Sequence, residues 1–293
     1  MAQYLDPKND LTFKRVFGEH KHLCMSLLNS MLPLEQPIVS IEYQTGELLP
    51  ELVDILRNSV VDVRCTDADG RQFIVEMQLY WTESFKSRVL LNASKAYVKQ
   101  LDRAEKFHLL QPVYALNFVN ETFEKSPEMK DEYFHHYKIV NIKDTEKQIK
   151  GLEFVFIELP KFKPQNRAEK KLHDLWLRFL TEINENTTVI PEELLQNEFI
   201  REAVRYMETG AYTKEQLETY DKVRIDTMTA RSMLDDATRK GEAIGLQKGK
   251  AEGKAEGKAE VAIQLLKLGI SLDDIMQSTG FTLEEIHSLQ KQD

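Results

Sequence analysis

The stretch that most constrains the fold is a hairpin, Ser59 to Thr66, then Asp67-Ala68-Asp69-Gly70, then Arg71 to Tyr80. Both arms alternate. Val61, Val63 and Cys65 share one face of the first strand, and Phe73, Val75, Met77 and Leu79 share one face of the second, as a half-buried antiparallel pair requires. The opposite face carries Asp62, Glu76 and Gln78. A three-residue loop built on a type I turn favours Asp at its start and Gly at its left-handed end, the places of Asp67 and Gly70. That loop pairs Asp67 with Arg71, Cys65 with Phe73, Val63 with Val75 and Asp62 with Glu76. A loop of two or four residues would mix the apolar faces, so the hydrophobic pattern selects this register.

Carboxylates directly opposite each other on a sheet have Cβ atoms about 4.5–5.5 Å apart and repel. A hard divalent cation compensates such a pair, since Mg²⁺ is typically held by one or two carboxylates together with water and phosphate oxygens. The other arrangement open to Asp62 and Glu76 leaves both in water at a sheet edge.

The flanking chain reads as alternating helix and strand. A helix begins near Asp10, with Phe13, Val16 and Phe17 on one face and Lys14 and Arg15 beside them, and a second runs from His22 to Met31. A short strand is expected over Ile38 to Tyr43, and a turn with one helical loop over Pro50 to Leu56. Ser84 to Lys106 reads as a long helix with an apolar stripe of Phe85, Val89, Ala93, Ala96 and Leu101, and a basic remainder that includes Lys86, Arg88, Lys95, Lys99 and Arg103. Three strands follow, at Pro112 to Val119, Tyr133 to Ile142 and Glu153 to Leu159. Together these make an α/β domain, a mixed sheet of five or six strands flanked by helices. Adjacent strand residues point to opposite faces, so His135 and His136 cannot readily share one ion and are read as surface residues.

The ordered run of four stretches resembles the PD-(D/E)XK nuclease family transposases, the Rpn family of recombination-promoting nucleases. These stretches are Leu5 to Gly18, the acidic hairpin, the helix with Arg88 and Tyr97, and Glu158-Leu159-Pro160-Lys161-Phe162. The resemblance spans about residues 1–165 and implies a restriction-endonuclease-like fold and hydrolysis of double-stranded DNA dependent on Mg²⁺, or on Mn²⁺ in its place, in the service of recombination or DNA mobility. It implies that Asp62, Glu76 and the Met77 carbonyl hold the metal. Lys14, Arg88 and Tyr97 would position the strand. The superfamily's lysine is glutamine here, and Gln78 cannot titrate as a general base. It can orient the attacking water and leave deprotonation to the metal. The second reading is a catalytically weak or inactive nuclease fold that binds DNA or oligomerises.

Other chemistries find no support. No GxSxG, HExxH or P-loop occurs, and the paired acids lie close together on one hairpin, unlike those of an RNase H-like transposase. A net charge of −9 excludes a surface that is basic throughout, because nonspecific DNA affinity comes mainly from Lys and Arg neutralising phosphates. Cys24 and Cys65 form no CxxC and occupy apolar-patterned positions, as expected of core thiols in a reducing compartment. With no signal-peptide pattern and no long apolar run, a soluble cytoplasmic protein without a membrane partner is expected.

After Pro164 the pattern is helical, with helices expected at Arg167 to Asn184, Glu192 to Thr209 and Lys214 to Arg239. Gly241, Gly245, Gly249, Gly253 and Gly257 then recur every fourth residue, in a tetrad that settles into Gly-Lys-Ala-Glu. Each Gly costs a helix about 0.8–1 kcal/mol relative to Ala, and each charge meets its own kind at i+4. A second copy corrects both faults by bringing the Lys stripe of one helix to the Glu stripe of the other. The alternative is a linker without a partner. Ser271-Leu272-Asp273-Asp274 and Thr282-Leu283-Glu284-Glu285 are capping boxes on either side of Gly280. The tail thus reads as a helix-turn-helix whose acidic second helix is ill suited to reading bases. Four regions are expected: a nuclease-like domain over 1–165, a helical region over 166–240, the repeat over 241–260 and the tail over 261–293.

Overall fold

The structure, a computed structural model, describes residues 3–44, 63–102, 106–164 and 171–290. It divides into two compact units, Met1–Ile225 and Asp226–Asp293.

The first unit is built on a mixed six-stranded sheet in the order β1-β2-β3-β4-β6-β5. The strands are β1 (Ile41–Tyr43), β2 (Val63–Asp67), β3 (Gln72–Gln78), β4 (Val113–Val119), β5 (Phe134–Asn141) and β6 (Asp144–Glu158). β1, β2 and β3 are antiparallel neighbours, β3, β4 and β6 run parallel, and β5 returns antiparallel on β6. This is the expected α/β class. The hairpin takes the three-residue register, Val63 opposite Val75 and Cys65 opposite Phe73. The Asp67 amide donates to the Arg71 carbonyl at 3.1 Å, and Gly70 closes the turn at φ +83°. Asp67 Oδ1 accepts from the amides of Asp69 and Arg71, which ties the turn to its own first residue.

The sheet separates two cores. On one face Val63, Cys65, Phe73 and Val75 pack against Phe13, Val16 and Phe17. Those three come from the short helix α1 (Asp10–Phe13) and the π-helical turn Lys14–Gly18 that continues it. The same core takes Leu23, Leu27 and Leu28 of α2 (Lys21–Met31) and Leu175, Trp176 and Phe179 of α4 (Leu172–Glu182). Trp176 meets Phe17 edge-on at 5.3 Å and donates its indole N–H to Ser26 Oγ at 3.1 Å, so its one polar atom is satisfied in the interior. Cys24 and Cys65 are both free and both buried in this core. Contact with Cys65 and burial push the Cys24 thiol well above its ordinary pKa.

On the other face Ile74, Val113, Ala115 and Phe156 pack against one helix, α3 (Glu83–Val98), through Phe85, Val89, Ala93 and Ala96. The apolar periodicity of that helix selects the face it buries. Leu101 does not continue the stripe: the helix tightens into a 3-10 turn at Lys99–Asp102, and Leu101 is exposed.

Several elements differ from expectation for local reasons. The first helix is capped by Asn9, whose side chain accepts from the Leu11 amide, and Asp10 is the first helical residue. The helix expected at Glu192 to Thr209 is two, α5 (Glu192–Gln196) and α6 (Glu198–Arg205), because the Asn197 side chain accepts from the amides of Phe199 and Ile200 and starts a new helix. β6 begins nine residues before the expected Glu153, at Asp144. Its first half is exposed on both faces and so has no apolar alternation to betray it. The turn expected at Pro50 to Leu56 lies outside the described residues.

α7 (Lys214–Lys267) begins in the first unit, enters the second at Asp226 and runs there without interruption through the glycine tetrads. A Cβ placed on Gly241, Gly245, Gly249, Gly253 or Gly257 would meet nothing within 4 Å. In the second unit α8 (Leu272–Thr279) and α9 (Leu283–Gln290) join the end of α7 around Ala262, Ile275 and Ile286. The second capping box forms reciprocally between Thr282 and Glu285, while in the first Ser271 Oγ accepts from the Asp274 amide and donates to Asp274 Oδ2. Gly280, at φ +74°, ends α8.

Candidate active site

Strand alternation places Ile74, Glu76 and Gln78 of β3 on the face covered by α3. Glu76 is only 5% exposed. Its Oε1 accepts a hydrogen bond from Asn92 Nδ2 at 3.1 Å, and its Oε2 lies 3.9 Å from Arg88 Nη2. Burial raises the carboxyl above its ordinary pKa, against the opposing pull of Asn92 and Arg88. One turn of α3 separates Arg88 from Asn92, so both reach the same carboxylate.

Arg88 also donates to Gln78 Oε1 at 2.5 Å, while Gln78 Nε2 donates to the Tyr80 carbonyl at 2.6 Å. The amide is therefore held at both ends and serves as a bracket for the guanidinium, which lies 4.9 Å above the Phe85 ring. The result is a carboxylate, a carboxamide and a guanidinium on adjoining turns of strand and helix. Such a set can bind a cation through oxygen and a phosphate through nitrogen.

On the neighbouring parallel strand, Asn117 stands in register with Glu76. Its Nδ2 donates to the carbonyls of Ala115 and Val155, and its buried Oδ1 has no hydrogen-bond partner among the described residues. Neither Asn92 nor Asn117 was singled out in the sequence. The signal was present: each is a lone amide in an otherwise apolar pattern, one on the buried stripe of α3 and one in the middle of a central strand.

Asp62 is outside the described residues. Met77 is half-buried against the larger core, with its side chain on the face opposite Glu76. Lys14 sits on the π-turn, whose Val16 and Phe17 pack on that same opposite face, and its ammonium pairs with Asp10 Oδ1 at 2.6 Å. Arg15 donates to the Ala211 carbonyl at 2.8 Å and stacks over Tyr212. Tyr97 lies near the far end of α3, where its ring would contact a Cβ on Gly151 at 3.5 Å. Gly151 precedes Leu152, which aligns with Val113 and Gln72 at the starts of the parallel strands, four residues before Glu76. Glu76, Gln78 and Arg88 are thus brought together; Lys14 and Tyr97 are not brought to them. No group of three or more His, Cys, Asp or Glu side chains suited to a metal occurs among the described residues.

Glu158 lies beyond Val119 in the same row of strand ends as Gln78. Its Oε1 accepts from the amides of Phe123 and Glu124 at 2.6 and 2.9 Å, and its Oε2 from His135 Nε2 at 3.0 Å and from Lys161 Nζ. Burial alone would raise this carboxyl, but Lys161, the two amides and His135 outweigh it and hold it below its ordinary pKa. His135 is therefore buried, contrary to the surface placement expected, while His136 turns to the other face and bonds Glu153 at 2.9 Å. Alternation was read correctly; what alternation does not reveal is that a carboxylate waits on one of the two faces.

No helix among the described residues is long and apolar enough to cross a membrane. The family model described as PD-(D/E)XK nuclease family transposase matches residues 7–237. No curated protein and no solved structure matches the chain.

Proposed function

The chain belongs to the PD-(D/E)XK nuclease family transposases, and on that footing we propose that it is a divalent-metal-dependent endonuclease that hydrolyses phosphodiester bonds of double-stranded DNA. The observation that carries the reading is the buried Glu76 carboxylate, held by Asn92 and flanked by Arg88 and Gln78.

The residues present fit a hard cation. Among the described residues, Glu76 Oε2 has only a long contact to a guanidinium, and a second buried oxygen, Asn117 Oδ1 on the adjoining strand, has no donor. Both are the oxygen ligand type that Mg²⁺ or Mn²⁺ prefers. Asp62, Glu76 and the Met77 carbonyl would hold the ion. When bound, it would lower the pKa of a water and offset charge on the phosphate. Arg88 is the substrate-positioning cation of this proposal, and Gln78 fixes where the guanidinium points. The second amide hydrogen of Gln78 is left for the attacking water. Lys14 and Tyr97 form no part of it, since one is ion-paired on the opposite sheet face and the other packs at the far end of the strands.

The biological role in keeping with this chemistry is DNA breakage that promotes recombination or mobility, in the cytoplasm. Self-association of α7 through the tetrads over 241–260 would place two such sites on one assembly. The open space along the glycine stripe supports it. Sedimentation at rising salt tests it: dissociation as salt screens the Lys and Glu stripes is expected, and a monomer at every salt concentration would sink it.

The engagement of both ends of Gln78 favours a second reading, in which the fold binds DNA or assembles without cutting. Conversion of supercoiled plasmid to nicked and linear forms in Mg²⁺, Mn²⁺ or Ca²⁺ separates the two, with Asp62→Ala and Glu76→Ala beside the native protein. Cutting that needs metal and both carboxylates supports the nuclease. DNA binding without cutting, by well-folded native protein in every metal, supports the alternative.

A further inference from the structure

On the α3 side of the sheet, Arg64 of β2 and Gln72 of β3 lie toward the hairpin turn, away from Glu76. They form the floor of an open cavity of about 700 Å³. The volume lies within the roughly 300–1,000 Å³ range of small-molecule sites. Gln72 precedes Glu76 by four residues on one strand face, so the cavity floor and the carboxylate are about 13 Å apart at about 3.3 Å per residue.

The chemistry of the lining is one-sided. Arg64, Lys99, Lys106 and His108 contribute nitrogen donors, and Asp69 is the one carboxylate among the described residues that line it. In a chain with a net charge of −9 this is a local reversal of sign. Like charges gathered around a concavity focus a field that attracts the opposite charge. No ion pair among the described residues engages Lys99 or Lys106.

The cavity is also prepared. Arg64 is 7% exposed and donates through Nη2 to Gln72 Oε1 at 2.9 Å, so strand pairing fixes where its guanidinium lies. The wall is clamped by a reciprocal pair, in which the Gln111 amide donates to Gln100 Oε1 at 2.8 Å and Gln100 Nε2 donates to the Gln111 carbonyl at 3.0 Å. Gly70 lets the turn approach closely, since a Cβ there would meet Gln111 Cγ at 3.2 Å. Thr66 and Gln44 offer hydroxyl and amide groups, and Leu109 offers an apolar surface. Cations for phosphate, amides for a base edge and an apolar side chain for a ring or sugar are together the requirements of a nucleotide.

We propose that this cavity is a second site, separate from the Glu76 cluster, that binds the phosphate and base of a nucleotide, either free or as part of a nucleic-acid strand. The site does not depend on whether Glu76 supports cleavage. Binding without catalysis therefore tests it, in EDTA, by calorimetric titration of the full chain with ATP, with dAMP, and with a single strand and a duplex of DNA. The native protein is compared with the double variant Lys99→Glu/Lys106→Glu, whose exposed positions spare the core, and with Lys143→Glu, a charge reversal in the exposed turn between β5 and β6 at the other edge of the sheet.

Expected is binding of at least one probe that weakens by about tenfold or more in the double variant, because two phosphate-facing cations have been reversed. Lys143→Glu should bind as the native protein does. ATP or dAMP binding would identify a free nucleotide as the ligand, and binding of DNA alone would identify a strand. No binding of any probe by folded native protein, binding indifferent to the double variant, or binding lost equally in Lys143→Glu would overturn the proposal. Plasmid cleavage measured separately keeps a failure of the nuclease reading distinct from a failure of this one.

Discussion

Asn92 Nδ2 donates to Glu76 Oε1 at 3.1 Å, and both residues are buried where α3 meets the sheet. An amide that binds a buried carboxylate fixes its orientation and lowers the cost of its charge. Asn92→Leu removes the donor and leaves the carboxylate in a less polar place. The expected loss is about 1.5–3 kcal/mol of stability at neutral pH, the range for a hydrogen bond to a charged group. Urea unfolding measures it, and the double variant Asn92→Leu/Glu76→Leu should recover part of the loss.

Arg88 is a third exposed, so its removal spares the fold while it empties the Gln78 bracket. Arg88→Ala is expected to slow plasmid cleavage by about 10²–10³-fold, the effect of losing one preorganised donor to a charged transition state. Circular dichroism and the melting temperature should stay near native values. Arg88→Lys should restore little, because an ammonium lacks the fork that spans carboxamide and carboxylate.

Glu158 gives a prediction with a sign. Its folded carboxyl lies below the ordinary value of 4.5, so the network stabilises the protein above that pH and the contribution fades as pH falls through the folded pKa. Glu158→Gln should therefore cost about 3–5 kcal/mol at pH 7, as expected when one partner leaves a buried ionic network. The gap between native and variant should narrow below about pH 4. Unfolding measured as a function of pH tests this; a gap that stays constant from pH 7 to pH 3 contradicts it.

Gly70→Ala combines a left-handed backbone at φ +83° with a Cβ set 3.2 Å from Gln111 Cγ. The backbone alone costs about 1–2 kcal/mol. Thermal unfolding should show the loss, and Gly70→Asn, which tolerates that backbone better, should lose less.

The hairpin was legible because two independent signals agreed in it: the alternation of Val63, Cys65, Phe73 and Val75, and the turn chemistry of Asp67 and Gly70. The burial face of α3 was legible from Phe85 to Ala96 for the same reason. What escaped were relationships between elements. Lys14 is basic and sits on a helix that packs on the hairpin, yet Phe13, Val16 and Phe17 decide which sheet face that helix covers. Tyr97 shares a helix with Arg88 but lies more than two turns away along it, and the helix carries it past the other end of the strands. Asn92 and Asn117 broke the apolar pattern without stating what they bind. The charged start of β6 carried no periodicity to read, since no core covers either of its faces.

The unequal sides of the sheet bear on how this chemistry can change over generations. Trp176, Phe179 and the helices around α2 supply the larger core, whereas Glu76, Gln78, Arg88 and Asn92 belong to a side that, among the described residues, one helix closes. Replacements among those four perturb the smaller layer and leave the larger one intact. Altered chemistry in that layer therefore need not begin with the loss of a foldable chain.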